Sequence, residues 1–292
     1  MCERPFYVIG VGRSGTTLLR VMLDEHSRLA IPGEAPWVTG VDPSAGVGGI
    51  LAHPRFGEWE LDPAAVMEAV DRHRPETWPD LIDTLFCTVA AGRSKPRWGD
   101  KTPSHIDHLH TLARWFPDAA FIHIIRDGRA VAASLAEQPW GPRNAMAGAF
   151  YWRRAVSRAR HIGRRLEHRY HEVRLEDLVA QPEQALGAIC TFLGEEYEPA
   201  MLDYPRTVGS RGNTLEPAHR HLADPPTAGL RDPNAGLRPI ESRAVESVCR
   251  PLLRDLGYTV GPLSPTGWVV ARADRARGAA RRINPTNSTR RS

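Results

Sequence analysis

The sequence predicts an α/β fold, a parallel β-sheet flanked by helices on both faces. Three observations carry that expectation. Phe6 to Ile9 is aromatic and β-branched, and glycines and then apolar residues at helical spacing follow at once. Ala119 to Ile125 is a near-continuous apolar run, as a parallel strand buried on both faces requires. Arg28 to Ile31 and His171 to Leu175 read as further short strands, set off from one another by helical sequence.

Length and composition bound the rest. With 292 residues the chain can bury a large core, as one big α/β domain or two small ones. Charged residues at 25% and hydrophobic ones at 41% are the ordinary balance of a soluble globule. No apolar run approaches the ~20 residues of a membrane span. The first strand starts too early to leave room for a signal peptide. Cys2, Cys87, Cys190 and Cys249 are far apart in sequence and lack metal spacing, so a reducing cytoplasm is the expected setting.

The formal net charge of +4 is unevenly placed. Arg272 to Ser292 holds seven arginines and one aspartate, +6, so the remainder sums to −2. Residues 263–292 read as a basic, partly disordered tail that solubilises the chain or touches a membrane surface. Only two lysines occur, Lys95 and Lys101, against 36 arginines. A lysine in such a chain marks a place where a compact point charge suits better than a planar fork.

The elements follow in order. After the first helix, the Arg28–Ile31 strand runs into Pro32-Gly33, a turn, which sets Glu34 at a strand's C-terminal end. Open parallel sheets carry their ligands at that edge. Residues 39–60 are rich in Gly, Pro and Ala and read as a loop or mobile lid. Asp62-Pro63 starts a helix, with Asp62 as N-cap and Pro63 in the first turn. A helix over residues 78–91 follows; Trp59, Trp78 and Trp98 are core anchors or an apolar wall for a substrate. His105, Leu109, Leu112 and Trp115 share a helix, and the His105/His108/His110 and His219/His221 groups read as solvated faces without a zinc pattern. A helix over residues 130–136 follows the apolar strand, and a long one over 146–168 comes next. A Pro182-led helix runs to Leu193, 204–239 reads as loop, and a last helix over 241–256 ends at Gly257.

The chemistry concentrates in Gly10-Val11-Gly12-Arg13-Ser14-Gly15-Thr16-Thr17. A strand, a glycine turn and a helix make a phosphate-binding corner, where backbone N–H groups and the helix N-terminus attract an anion. The spacing fits a nucleotide-triphosphate loop, but Thr16 stands where that motif needs Lys. Gly10, Gly12 and Gly15 also fit a dinucleotide fingerprint, with Glu34 as the ribose acid. A third reading is a loop that grips a phosphosulfate with N–H groups, hydroxyls and one cation.

Arg-Ser-Gly-Thr-Thr-Leu after a short strand resembles the 5′-phosphosulfate loop of sulfotransferases that use 3′-phosphoadenosine-5′-phosphosulfate (PAPS). It is most similar to the branch holding tyrosylprotein sulfotransferases and many bacterial relatives. The resemblance covers about residues 5 to 260. It implies a P-loop-like, nucleotide-binding sulfotransferase fold over 1–262, with 263–292 as the tail. Arg13, Ser14, Gly15, Thr16 and Thr17 then hold the 5′-phosphosulfate. Trp98-Gly99-Asp100-Lys101-Thr102-Pro103 is similar to the family's lysine-bearing turn beside the sulfuryl group. Arg126, with Ser134 eight residues later, resembles the clamp on the 3′-phosphate, which suits arginine's paired donors. Arg231, in a late loop over the nucleotide, competes with Arg238 for a phosphate. Two departures stand out: Leu175 replaces a usual Tyr, and Pro233 a usual Trp.

The resemblance makes Glu34 the general base, with Arg13 and Lys101 supplying charge to the reacting group in place of a metal. His26 is the nearest alternative base in sequence, and Glu34 itself would need burial to raise its pKa. The implied partner is a hydroxyl on a small molecule, sugar or lipid, and not a nucleic acid. A P-loop kinase of a small metabolite and a non-enzymatic nucleotide-binding module remain the competing classes.

Overall fold

The computed structural model describes residues 2–59, 61–206 and 236–262. Five strands form one sheet, β1 (Phe6–Ile9), β2 (Leu29–Ala30), β3 (Arg97–Lys101), β4 (Ala120–Ile125) and β5 (Tyr170–Arg174), in the order β2-β3-β1-β4-β5 with every pairing parallel. β1 therefore lies at the centre. Phe6 pairs with Gly99 on one side and Ala120 on the other. The chain leaves β1 toward one edge and later returns to the opposite side. Such a reversal opens a crevice at the strand C-termini, where α/β proteins bind ligands.

The helices are α1 (Thr16–Asp24), α2 (Trp37–Gly40), α3 (Gly46–Leu51), α4 (Pro63–His73), α5 (Trp78–Gly92), α6 (Leu109–Trp115), α7 (Gly128–Ala136), α8 (Ala145–Gly163), α9 (Leu175–Ala180), α10 (Pro182–Leu193) and α11 (Pro239–Asp255). Asp62 caps α4 by accepting from the Ala64 N–H, as its sequence position suggests. Thr77 and Asp80 form a reciprocal capping box on α5.

Packing divides the chain into two compact units, Met1–Ile125 with Arg158–Leu230, and Arg126–Ser157 with Arg231–Ser292. The first holds the whole sheet. Side chains alternate across each strand. Phe6, Val8, Ala120, Ile122 and Ile124 pack on one face with Leu19, Met22 and Leu23 of α1 and Leu186 and Ile189 of α10. Tyr7 and Phe121 stack on the other face at 5.4 Å, and Trp98 and Phe86 continue the aromatic layer at 4.4 Å. Both faces are thus covered. In the second unit Arg129 ties Asp127 at the start of α7 to Glu246 of α11. α11 ends at Gly257, φ 76°, with the Tyr258 N–H donating to Leu253 O.

Several expectations change. Residues 39–60 are not a structureless lid: among the described ones are α2, α3 and two single 3₁₀ turns, with Ile50, Phe56 and Trp59 buried. α8 stops at Gly163 instead of reaching His168: the Arg165 and Leu166 N–H groups bond three residues back, to Ile162 and Gly163, and a 3₁₀ turn over Glu167–Arg169 follows. His105 is buried against Asp100, not solvated. Lys95 lies in the loop between α5 and β3, where its ammonium binds the carbonyls of Asp24 and Leu29. Trp59, Trp78 and Trp98 are all buried, each with its indole N–H donated, so they are anchors. Cys2 and Cys87 are joined as a disulfide across 85 residues of sequence, Cα atoms 5.7 Å apart, and Cys190 and Cys249 are free. That pairing removes the ground on which a reducing compartment was expected. The tail and the late loop with Arg231, Pro233, His219 and His221 lie outside the described residues.

Candidate active site

The loop from Gly10 to Gly15 leaves the C-terminal end of the central strand and opens α1. Arg13 has φ 72° and Gly15 φ 89°. Left-handed backbone is free for glycine and costs an arginine about 1–2 kcal/mol. A Cβ on Gly15 would sit 2.5 Å from Leu175 Cδ1. Leu175, the first residue of α9, thus closes down on the turn. α1 begins without a side-chain cap or an acidic residue in its first turn, so its dipole favours an anion. Ser14 is 1% exposed and its hydroxyl has no partner among the described residues. A buried hydroxyl is normally satisfied by the protein. Left over inside a glycine turn at a helix N-terminus, it fits a phosphate-type oxygen.

Lys101 ends β3, beside β1, and is 2% exposed. Its ammonium pairs with Glu34 Oε1 and lies 3.4 Å from Thr17 Oγ1. Burial pushes its pKa below the ordinary lysine value; the Glu34 carboxylate opposes that and the Arg20 guanidinium adds to it. A lysine therefore does reach the first turn of α1, but it comes from β3 rather than from the glycine loop.

Glu34 follows β2 through the Pro32-Gly33 turn. Arg20 of α1 holds that turn by donating to the carbonyls of Ile31 and Pro32, each at 3.4 Å. The Asp24 carboxylate accepts the Ile31 N–H at 2.8 Å. Glu34 Oε2 lies 3.6 Å from Arg55, and Trp59 donates to the Glu34 carbonyl at 3.4 Å. The expected burial of Glu34 is not what the fold provides. Its side chain is 23% exposed, and its two oxygens face cations instead of an apolar wall. His26 is no alternative base. It follows the far end of α1, its Nε2 lies 2.9 Å from the Glu196 carbonyl, and its Nδ1 accepts the Arg28 N–H.

Of the sequence candidates, the structure brings Glu34, Lys101 and Thr17 together and sets Arg13, Ser14 and Gly15 in the loop that leads into Thr16, the first residue of α1. Arg126 and Ser134 belong to the second unit. Arg126 comes directly after β4, and Ser134 is buried within α7, whose first turn Asp127 caps by accepting the Arg129 N–H. Arg20, Arg55, Asp100 and Thr102 escaped the sequence reading. Asp100 and Thr102 flank Lys101, so the lysine's own motif held the signal. Arg20 and Arg55 gave none.

Sheet order and loop define an α/β protein of the P-loop-like kind. The model of the Sulfotransferase family matches residues 5–199, and the chain belongs to that family. It is 26% identical over 267 residues to protein-tyrosine sulfotransferase 1 of Danio rerio, covering 86% of this chain and 71% of that one. A putative protein-tyrosine sulfotransferase of Caenorhabditis briggsae is 25% identical over 215 residues, 71% of each chain. The match to an uncharacterized Aquifex aeolicus protein, 26% identical over 70% of this chain, spans only 27% of that longer protein. Among solved structures, the sulfotransferase domain of the Synechococcus PCC 7002 olefin synthase superposes with TM-score 0.57 at 23% identity, over 93% of this chain and 94% of that one. Mouse sulfotransferase SULT7A1, complexed with PAP, does so with TM-score 0.51 at 12% identity, over 96% and 90%. These two share the fold.

Proposed function

We propose that this chain moves a sulfuryl group from PAPS to a hydroxyl of a small-molecule, sugar or lipid acceptor. The observation that carries the reading is Lys101, buried at the mouth of the phosphate loop between Glu34 and Thr17. It joins a carboxylate suited to take a proton and a cation suited to a leaving phosphate. Relatives named as sulfotransferases and a fold neighbour complexed with PAP support it.

Bound PAPS supplies an activated sulfuryl group whose leaving group is the 5′-phosphate. The loop N–H groups, the Ser14 hydroxyl and the Thr16 and Thr17 hydroxyls hold that phosphate region. The resemblance assigns the 3′-phosphate to Arg126 and Ser134 and a further phosphate contact to Arg231, which lies outside the described residues. Glu34 takes the acceptor's hydroxyl proton on a carboxylate oxygen as the acceptor oxygen bonds to sulfur and the bond from sulfur to the phosphate oxygen breaks. Lys101 and Arg13 stabilise the charge spreading onto the transferred and leaving oxygens, as cations do in in-line group transfer. The protein's work is positioning and electrostatics.

Thermal unfolding with PAP, ATP and NAD added separately tests the donor, since a ligand stabilises in proportion to its affinity. PAP alone is expected to raise the midpoint. A shift with ATP and Mg²⁺ only would transfer the chain to the kinase class, and a shift with NAD only to the dinucleotide class.

A further inference from the structure

The residues after Glu34 and after Lys101 are tied to each other. Thr102 follows Lys101, and its Oγ1 accepts the N–H of Ala35, the residue after Glu34, at 2.7 Å. The same hydroxyl donates to Asp100 Oδ1 at 2.8 Å, which fixes its rotor and leaves its lone pair for Ala35. Asp100 precedes Lys101 and is 1% exposed. Its other oxygen lies 2.6 Å from Nδ1 of the buried His105.

Nothing in a merely well-packed core requires this arrangement. β2 pairs with β3 only through Leu29–Arg97 and Ala30–Trp98. Beyond Ala30 the two chains separate, and Glu34 is carried on a turn. The Thr102 hydroxyl re-joins them four residues further on, at the peptide on which Glu34 sits. A buried acceptor for a single backbone N–H is directional, so it fixes where that peptide points. The charge-assisted bond from the hydroxyl to Asp100 makes the link stiffer than a neutral one.

We propose that Thr102, oriented by Asp100, is a positioning residue that sets the Glu34 carboxylate against the Lys101 ammonium. The inference rests on the sulfuryl-transfer reading for its effect on rate, but its geometric content does not. Group transfer is steeply sensitive to placement, and a displacement of about 1 Å costs about 100-fold.

The test compares Thr102→Val, which keeps the shape and deletes the hydroxyl, with Thr102→Ser, which restores it. Turnover with PAPS and 2-naphthol should fall about 10- to 100-fold in Thr102→Val, while the donor KM and the PAP dissociation constant stay within about threefold. Thr102→Ser should recover most of the rate. Two readouts need no turnover. Amide exchange at Ala35 should accelerate in Thr102→Val while the amides of Phe6–Ile9 keep their protection. With only two lysines in the chain, mass spectrometry can follow amine labelling of Lys101 against Lys95, and Lys101 should label faster. Equal rates in Thr102→Val and wild type would overturn the proposal, as would equal losses in the Val and Ser variants. Parallel losses in PAP affinity and turnover would reduce Thr102 to a general support. A wild-type protein whose unfolding midpoint PAP does not raise refutes the sulfuryl-transfer reading; unchanged Ala35 exchange and Lys101 labelling refute the positioning link.

Discussion

Replacing Glu34 by Gln separates the chemistry of the site from its architecture. Glutamine keeps the shape and an oxygen able to accept from Lys101, and it removes the negative charge. A general base contributes about 10²–10⁴ to rate, so turnover should fall by that factor. PAP affinity should stay near wild type, since the phosphate loop is intact. Stability should fall as well. Removing the partner of a buried charge costs about 3–5 kcal/mol. Here Lys101 is buried but Glu34 is partly exposed and Gln still accepts, so about 1–2 kcal/mol is expected. The sign with pH follows from Lys101, whose pKa burial lowers and Glu34 raises. The deficit is full while the folded-state lysine is charged. It shrinks as pH rises through the lysine's lowered folded-state pKa, where the ammonium that Glu34 pairs with loses its charge. Single-turnover rates, PAP titration and urea melts at neutral and alkaline pH measure the three effects. Near-normal turnover would move the base elsewhere, and a pH-independent deficit would deny the ion pair its role.

Three further outcomes are expected. Gly15→Ala forces a side chain into φ 89° and against Leu175, so PAP affinity and stability should both drop; adding Leu175→Ala should recover part of the stability, and full recovery would discount the backbone strain. Arg126→Ala should weaken PAPS more than adenosine-5′-phosphosulfate, by about 2 kcal/mol for a partly buried charged partner, and equal weakening in calorimetric titration would reject the 3′-phosphate clamp. His123 is buried beside Tyr170, and burial chiefly, with Arg160 second, holds its pKa down at about 3. Below its ordinary 6.5 the unfolded chain takes up a proton that the folded one refuses, so stability should fall by up to about 1.4 kcal/mol per pH unit between the two values. His123→Leu should flatten that slope in denaturant melts from pH 6 to 4, and an unchanged slope would assign it to other groups.

What the sequence discloses divides along the range of its interactions. β1 and β4 are apolar enough to be read by eye, and Asp62 announces its cap locally. The glycine loop is legible because its chemistry is contiguous. Residues 39–60 mislead because α2 and α3 are too short to show a helical period and their glycines suggest a loop. The Thr102 link is invisible in one dimension, since its N–H donor lies 67 residues away. Cys2 and Cys87 are hidden by distance too. Glu34 was found by resemblance, but its surroundings were not: Arg55 gives no sign in sequence of reaching back to it, so a buried base was expected where an ion pair stands.

The central place of β1 has a consequence for how the protein is made. β1 is synthesised first, yet the strands that bond it lie more than ninety and more than a hundred residues downstream. At about 5–20 residues per second, roughly 6–25 seconds pass before the ribosome has made both flanking strands. Until then Phe6-Tyr7-Val8-Ile9 is an apolar segment with open hydrogen-bonding edges on both sides, the kind of surface that chaperones hold. The phosphate loop is encoded early and acquires its shape late. A nascent chain stopped before β4 carries the whole glycine motif, with only one of the two strands that hold it in place.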